Sequence, residues 1–416
     1  MANLERAFLT GLGALSLLRE EVAGLASRDK PERDAAMTSR ERTLAAISHR
    51  QVDRVPVMVW SEPHTALKMT KEIRPPKKAL DNLPWKAADL LAKYLPTEEA
   101  RNFAPLPLYL VQPDYLRELG SDAIDVFWGN PLNHLGGIWL EDGHIRIKDN
   151  WGVVHGMCGL YAETVDVPCP TKEDLDDYQF PDASPSSNYN NIRFFRKRYP
   201  QTAIAGWTLG VQDCSQHWHG MERLYTGMLC YPRTIKKFFQ KMREQSIQII
   251  KGSLEAGADI IIIGDDYGSQ NSLLISKEMW EEFTYPHLKK QVESVHEYGG
   301  KALLHSDGYI MPLLPKFVEA EVDALHPLQP GTGNDLKEAK QKYGKRLTFF
   351  TGIDVQKMPL MTKKEVREDI VNAYKTGSKK GGFILCTTHA LQVNTPTQNL
   401  KEMFATIKDI KRGRYG

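Results

Sequence analysis

Basic residues are not in excess here. Lys plus Arg is 54 and Asp plus Glu is 52 in 416 residues, a net charge of +2. A nucleic-acid binder shows a basic patch or stripe, so that class is set aside. Cysteine is scarce: five residues, at 158, 169, 214, 230 and 386, with no Cys-x-x-Cys pair. This excludes a disulfide framework and a four-cysteine zinc module. No apolar run reaches the roughly 18 residues that would span a membrane. The stretch Phe8–Leu18 lacks a basic leader and runs straight into Arg19, Glu20 and Glu21. It reads as a short amphipathic helix rather than a signal peptide, and the expected compartment is the cytoplasm. No Gly-x-Gly-x-x-Gly follows an early strand, which argues against a doubly wound dinucleotide fold.

Present instead are eight short β-rich apolar runs: 55–60, 123–128, 202–207, 258–263, 301–305, 322–326, 347–351 and 382–386. Several are near-continuous, above all Ile260-Ile261-Ile262-Ile263. Strands buried on both faces read this way, and burial on both faces marks parallel sheets. Helical periodicity separates the later runs, as in 232–254 and 364–374. Thr38 or Ser39 is placed to cap a helix over 40–49. The polar residues that close the runs recur at about one βα unit of roughly 30 residues. The expected fold is a (β/α)8 TIM barrel, α/β in class, with an N-terminal helical extension over residues 1–37 and the barrel over 38–416. Residues 137–148 alternate about Asp142-Gly143, a hairpin signature. They belong to an insertion at about 130–190, expected to roof part of one barrel end.

In such barrels the active site lies at the C-terminal strand ends. There stand Asp265, Asp266, Tyr267 and Gln270 after the fourth strand, and His305 and Asp307 after the fifth. His326 and Gln329 follow the sixth strand, Asp354 the seventh and His389 the eighth. Two histidines and a carboxylate, His305, Asp307 and His389, can bind zinc with an open position, or non-haem iron. The alternative is a hydrogen-bonded rim cluster. Asp265-Asp266 point to opposite faces of a strand, so at most one meets substrate directly. Asp266, Asp307 and His389 are the catalytic candidates. Asp265, Tyr267, Gln270, His326 and Gln329 are assigned to substrate binding. Trp60, Phe127, Trp128 and Trp207 end early strands; they line a pocket for a flat or methylated ligand, or simply pack. Cys386 reads as barrel packing, and His217-Trp218-His219 as a loop and helix start.

Three further features carry a family resemblance. Met37–His49 is followed by Asp53-Arg54-Val55-Pro56-Val57. Gly264–Gln270 is followed by His305-Ser306-Asp307-Gly308 and Val322–Pro330. The end runs from Gly381 to His389 and then Asn394-Thr395-Pro396 and Asn399. Together, in order over roughly 37–410, these resemble the uroporphyrinogen decarboxylase superfamily. The resemblance implies a (β/α)8 barrel and one of two chemistries. Decarboxylases carry an Arg-Gln-Ala-Gly-Arg segment after the first strand, where this chain has Ser61-Glu62-Pro63-His64. The chain more closely resembles the corrinoid-dependent methyltransferase branch, whose zinc is held by His-x-Cys on strand five and Cys on strand eight. Those positions read His305, Asp307 and His389 here. The implied cofactors are zinc and a corrinoid (cobalamin) carried by a partner protein. The implied small-molecule partner is a methyl donor or acceptor, and a homodimer is compatible with this family. A metal-dependent hydrolase barrel is the remaining enzyme reading, although its usual first-strand His-x-His is absent. A non-catalytic binding barrel also stays open.

Overall fold

The computed structural model describes residues 37–77, 83–94, 112–128, 135–142, 144–158 and 161–415. The amphipathic helix expected in the first 37 residues lies outside them. Twelve strands are described: β1 (Val57–Met58), β2 (Ala123–Val126), β3 (Leu135–Glu141), β4 (His144–Asp149), β5 (Val154–Cys158), β6 (Tyr161–Asp166), β7 (Ala203–Leu209), β8 (Ile260–Gly264), β9 (Lys301–His305), β10 (Ala324–His326), β11 (Thr348–Ile353) and β12 (Phe383–Thr387). Eight of them form one parallel sheet in the order β1-β12-β11-β10-β9-β8-β7-β2, and they are the eight expected runs. The fold is a (β/α)8 barrel.

Alternation along each strand sets two packed layers. Met58, Ala123, Ala205, Ile260, Ile262, Leu303, Ala324, Phe350, Ile384 and Cys386 fill the interior. Val57, Ile124, Ile204, Ile261, Ile263, Leu304, Leu325, Phe349 and Leu385 pack outward against the helices. Burial on both sides is why these runs carry so few polar positions. The helix Ser39–Ile47, capped by Thr38 in a capping box with Glu41, plugs the N-terminal end of the barrel with Ala46 and Ile47.

The barrel closes between β1 and β2 through one backbone bond and two bonds to side chains. The Asp122 N–H donates to the Val57 carbonyl. The Val57 N–H donates to Asp122 Oδ2 at 3.0 Å, and the Val59 N–H to Ser121 Oγ at 3.1 Å. The insertion between β2 and β7 is larger than a hairpin: β3-β4-β5-β6 form a four-stranded antiparallel sheet. Asp142 takes the positive φ of +50° that the β3–β4 turn requires. This sheet is tied to the helix Gln212–His219 by Thr164 to His217 Nδ1 at 2.8 Å and by Trp151 against Trp218. His217-Trp218-His219 is therefore the last turn of a helix, not its start. Among the described residues, no helix is long and apolar enough to cross a membrane.

Candidate active site

The same alternation that buries Ile262 and Leu303 inside the barrel turns Asp266, His305 and Asp307 inward at the mouth. It turns Asp265 outward, alongside Ile263. Asp265 is accordingly 1% exposed. It accepts the backbone N–H groups of Val211 (3.2 Å), Gln212 (3.0 Å) and Asp213 (2.6 Å), together with the Tyr267 hydroxyl at 2.9 Å. These are the orphan donors at the start of the helix Gln212–His219, so Asp265 acts as a remote cap. Burial pushes its carboxyl up to about 7. Tyr267 is buried with it, against Trp280 and Phe317.

Donor atoms of His305, Asp307 and His389 all lie within 4.8 Å of one another. His389 Nε2 stands 3.8 Å from Asp307 Oδ2, and His305 Nε2 stands 3.9 Å from Asp266 Oδ1. Both separations exceed hydrogen-bonding range. The groups surround a shared gap instead of bonding across it. Side-chain exposure climbs from 11% at His305 through 28% at Asp307 to 48% at His389, so the gap opens on the β12 side.

The turn that carries Asp307 is held from several directions. The Asp307 N–H donates to Asp266 Oδ1 at 2.8 Å and the Gly308 N–H to Gln329 Oε1 at 2.8 Å. Gln329 Nε2 reaches the amide oxygens of Gln356 (3.1 Å) and Gln270 (3.3 Å). Gln270 and Gln329 thus converge under the turn.

Behind His305, His326 is fully buried. Its Nδ1 lies 2.8 Å from His305 Nδ1 and its Nε2 lies 2.8 Å from the Thr387 carbonyl. Trp60 packs on the His326 ring at 3.9 Å, and also against His305 and Trp207. Phe127 stacks on Trp207 at 5.4 Å. Trp128 instead packs on Trp151 and Tyr189, toward the insertion. Trp60 and Trp207 therefore form the aromatic wall beside His305.

The mouth is acidic. Burial, then the neighbouring Asp266, Asp265 and Asp307 carboxylates, holds Asp213 well above the ordinary carboxyl range. Burial also raises Asp266 and Asp307. It lowers His305 to about 4, leaving that imidazole neutral. Among the described residues, no Lys or Arg contributes to the charges acting on Asp213, Asp266, Asp307 or His305.

Two residues went unread in the sequence. Asp213 follows the end of β7, the same kind of position as Asp266. Asp125 is two residues beyond inward-facing Ala123 and accepts the Trp207 indole N–H at 3.2 Å; burial raises its carboxyl. Strand position was the available signal for both. Cys386 is a buried wall residue, as expected.

Known proteins agree with this fold and its class. Residues 164–410, more than half of the chain, match the family model described as uroporphyrinogen decarboxylase (URO-D). The chain belongs to that family. A uroporphyrinogen decarboxylase of Anaeromyxobacter sp. (strain Fw109-5) is 24% identical over 251 residues, 56% of this chain and 67% of that protein. One from Psychromonas ingrahamii is 20% identical over 261 residues, 58% of this chain and 70% of that protein. Among solved structures, a methyltransferase from Methanosarcina mazei superposes with a TM-score of 0.65 at 18% identity, over 90% of this chain and 99% of that one.

Proposed function

We propose that this protein is a methyltransferase of the corrinoid-dependent kind. It would move a methyl group between a small methylated compound, of the methyl ether or methylamine type, and a corrinoid borne by a partner protein. The observation that carries this reading is the gap shared by His305, Asp307 and His389 at an acidic, aromatic mouth. Two imidazoles and a carboxylate suit a single zinc ion with one position left open. Bound there, zinc would supply Lewis acidity toward the heteroatom that gives up or receives the methyl group.

The chain's own groups do the rest. Trp60 and Trp207 bind the apolar part of the substrate and exclude water from the His305 side. Asp266 is partly buried, and its Oδ1 is engaged by the Asp307 N–H. Its other oxygen is left to hold a proton for the leaving heteroatom, a contribution of about 10²–10⁴ in rate. The exposed His389 edge leaves the mouth accessible to a partner.

The decarboxylase names of the sequence relatives favour a second reading, porphyrinogen decarboxylation. An acidic mouth opposes it, because a substrate with several carboxylates calls for cationic partners.

The test is elemental analysis of purified protein before and after chelation, with turnover of methylated compounds followed by the absorbance of added reduced corrinoid. Stoichiometric zinc and chelator-sensitive corrinoid methylation are expected. A fully active metal-free enzyme would end the zinc assignment, and turnover of a porphyrinogen without corrinoid would end the methyltransferase reading.

A further inference from the structure

His326 stands at a strand end, where substrate contact would be expected, yet it has no surface to offer. It is 0% exposed, in register with His305 on the adjacent strand, and both ring nitrogens are already engaged. A carbonyl oxygen only accepts hydrogen bonds. The 2.8 Å contact with the Thr387 carbonyl therefore places a proton on His326 Nε2.

A neutral His326 then has a bare Nδ1, which can only accept. The partner across 2.8 Å, His305 Nδ1, must be the donor. His305 is thereby left with its proton on Nδ1 and a lone pair on Nε2, the nitrogen that faces Asp266 at 3.9 Å. The opposite polarity would require a doubly protonated His326 inside the barrel, against a carbonyl, a second imidazole and the Trp60 ring. An unpaired buried cation is strongly disfavoured in such surroundings.

We infer that His326 and the Thr387 carbonyl are a positioning relay, which fixes the His305 tautomer and aims a bare Nε2 into the gap shared with Asp307 and His389. The relay runs from β9 through β10 to β12, the strand that leads into His389. Thr387 ties it off a second time, since its Oγ1 accepts the Trp60 backbone N–H at 2.9 Å while the Trp60 ring covers His326. The inference rests on the metal site proposed above. Histidine ligands typically need their second nitrogen held in this way, and loss of the holding group commonly lowers metal affinity about 10–100-fold.

The experiment uses the full chain, ¹⁵N-labelled at histidine and freed of metal by chelation. Long-range ¹H–¹⁵N correlation reads which His305 nitrogen carries the proton, and calorimetric titration with zinc alone reads affinity. In the wild type His305 is expected as the Nδ1–H tautomer. His326→Phe keeps a ring under Trp60 but offers no acceptor. It should shift His305 toward Nε2–H and weaken zinc about 10–100-fold.

His326→Gln supplies an amide oxygen for His305 and an N–H for the Thr387 carbonyl. It should keep the wild-type tautomer and most of the affinity, a rescue that a purely space-filling role for His326 would not give. A wild-type His305 protonated on Nε2 overturns the relay. So does a folded His326→Phe variant with unchanged tautomer and unchanged zinc affinity. If His326→Phe does not fold, the wild-type spectrum alone decides. Wild-type protein that shows the Nδ1–H tautomer but binds no zinc would support the relay and sink the metal reading, so the two failures are distinct.

Discussion

At the level of single residues, the position of Asp307 depends on a neighbour with no side chain. Gly308 has φ +77°, and a Cβ there would lie 2.4 Å from the Gly268 carbonyl group. Both facts demand glycine: the left-handed backbone disfavours other residues, and the two turns touch backbone to backbone. Gly308→Ala should lose about 1–3 kcal/mol and pull the Asp307 carboxylate away from His389. Thermal unfolding and zinc titration would both register it, and an unchanged melting temperature would show that the turn can give. Asp266 offers a cleaner separation of roles. Asn at 266 retains an oxygen for the Asp307 N–H but no longer holds an acidic proton. Asp266→Asn should therefore cut turnover about 10²–10⁴-fold while leaving zinc affinity within a few-fold of wild type. Equal loss of both would make Asp266 a ligand rather than an acid.

Among elements, the helix Gln212–His219 depends on a residue more than fifty positions away. Val211 precedes it and provides no side-chain cap, so Asp265, on the loop after β8, accepts the Val211 N–H and the first two N–H groups of the helix. Asp265→Ala should destabilise the fold by about 3 kcal/mol, since each stranded buried donor is worth about 1–3 kcal/mol. It should also loosen the insertion that leans on this helix through Trp218; chemical denaturation checks the first effect and protease sensitivity of β3–β6 the second. Sequence periodicity carried the barrel strands well, because burial on both faces leaves an almost unbroken apolar run such as Ile260–Ile263. The same period told that Asp265 and Asp266 diverge, but not which one faced inward; that depends on the interior layer set by Ile260 and Ile262. Hydrogen bonds across strands left no local trace. Nothing near His326 shows that it meets His305 and Thr387, and nothing near Trp128 shows that it turns toward Tyr189. The β5–β6 half of the insertion was likewise unread, since it forms only by pairing with the hairpin before it.

For the molecule as a whole, the N-terminal end of the barrel and its flanks set the response to acid. Asp122 closes the β1–β2 seam and meets Arg42 at 3.0 Å, Arg54 at 2.7 Å and Lys411 at 3.1 Å. Burial pushes its carboxyl up, but Arg54, Lys411 and Arg42 together hold it well below its ordinary 3.8. Stability from this cluster is thus complete above about pH 4 and is lost as pH falls further and Asp122 takes up a proton. Asp122→Ala should lose about 3–5 kcal/mol at neutral pH, because buried Arg42 is left without this partner. His287 acts at milder acidity. It lies on the helix Tyr285–Glu297, edge-on to Phe239, and burial lowers it from 6.5 to about 4. An unfolded chain protonates this group first, so its contribution declines as pH drops from 6.5 to about 4 and is level below that. The full difference corresponds to about 3 kcal/mol. Asp265 titrates in the opposite sense: raised to about 7, it favours the folded state most at low pH and loses that contribution as pH rises. A single stability curve would mix the two with each other and with His305, also lowered to about 4. Comparison of wild type with His287→Gln removes Asp265 from the difference, since it titrates in both. Urea unfolding at pH 7, 5.5 and 4 should show wild type losing stability relative to His287→Gln step by step across this range; parallel curves would mean that His287 is protonated in the folded protein without strain.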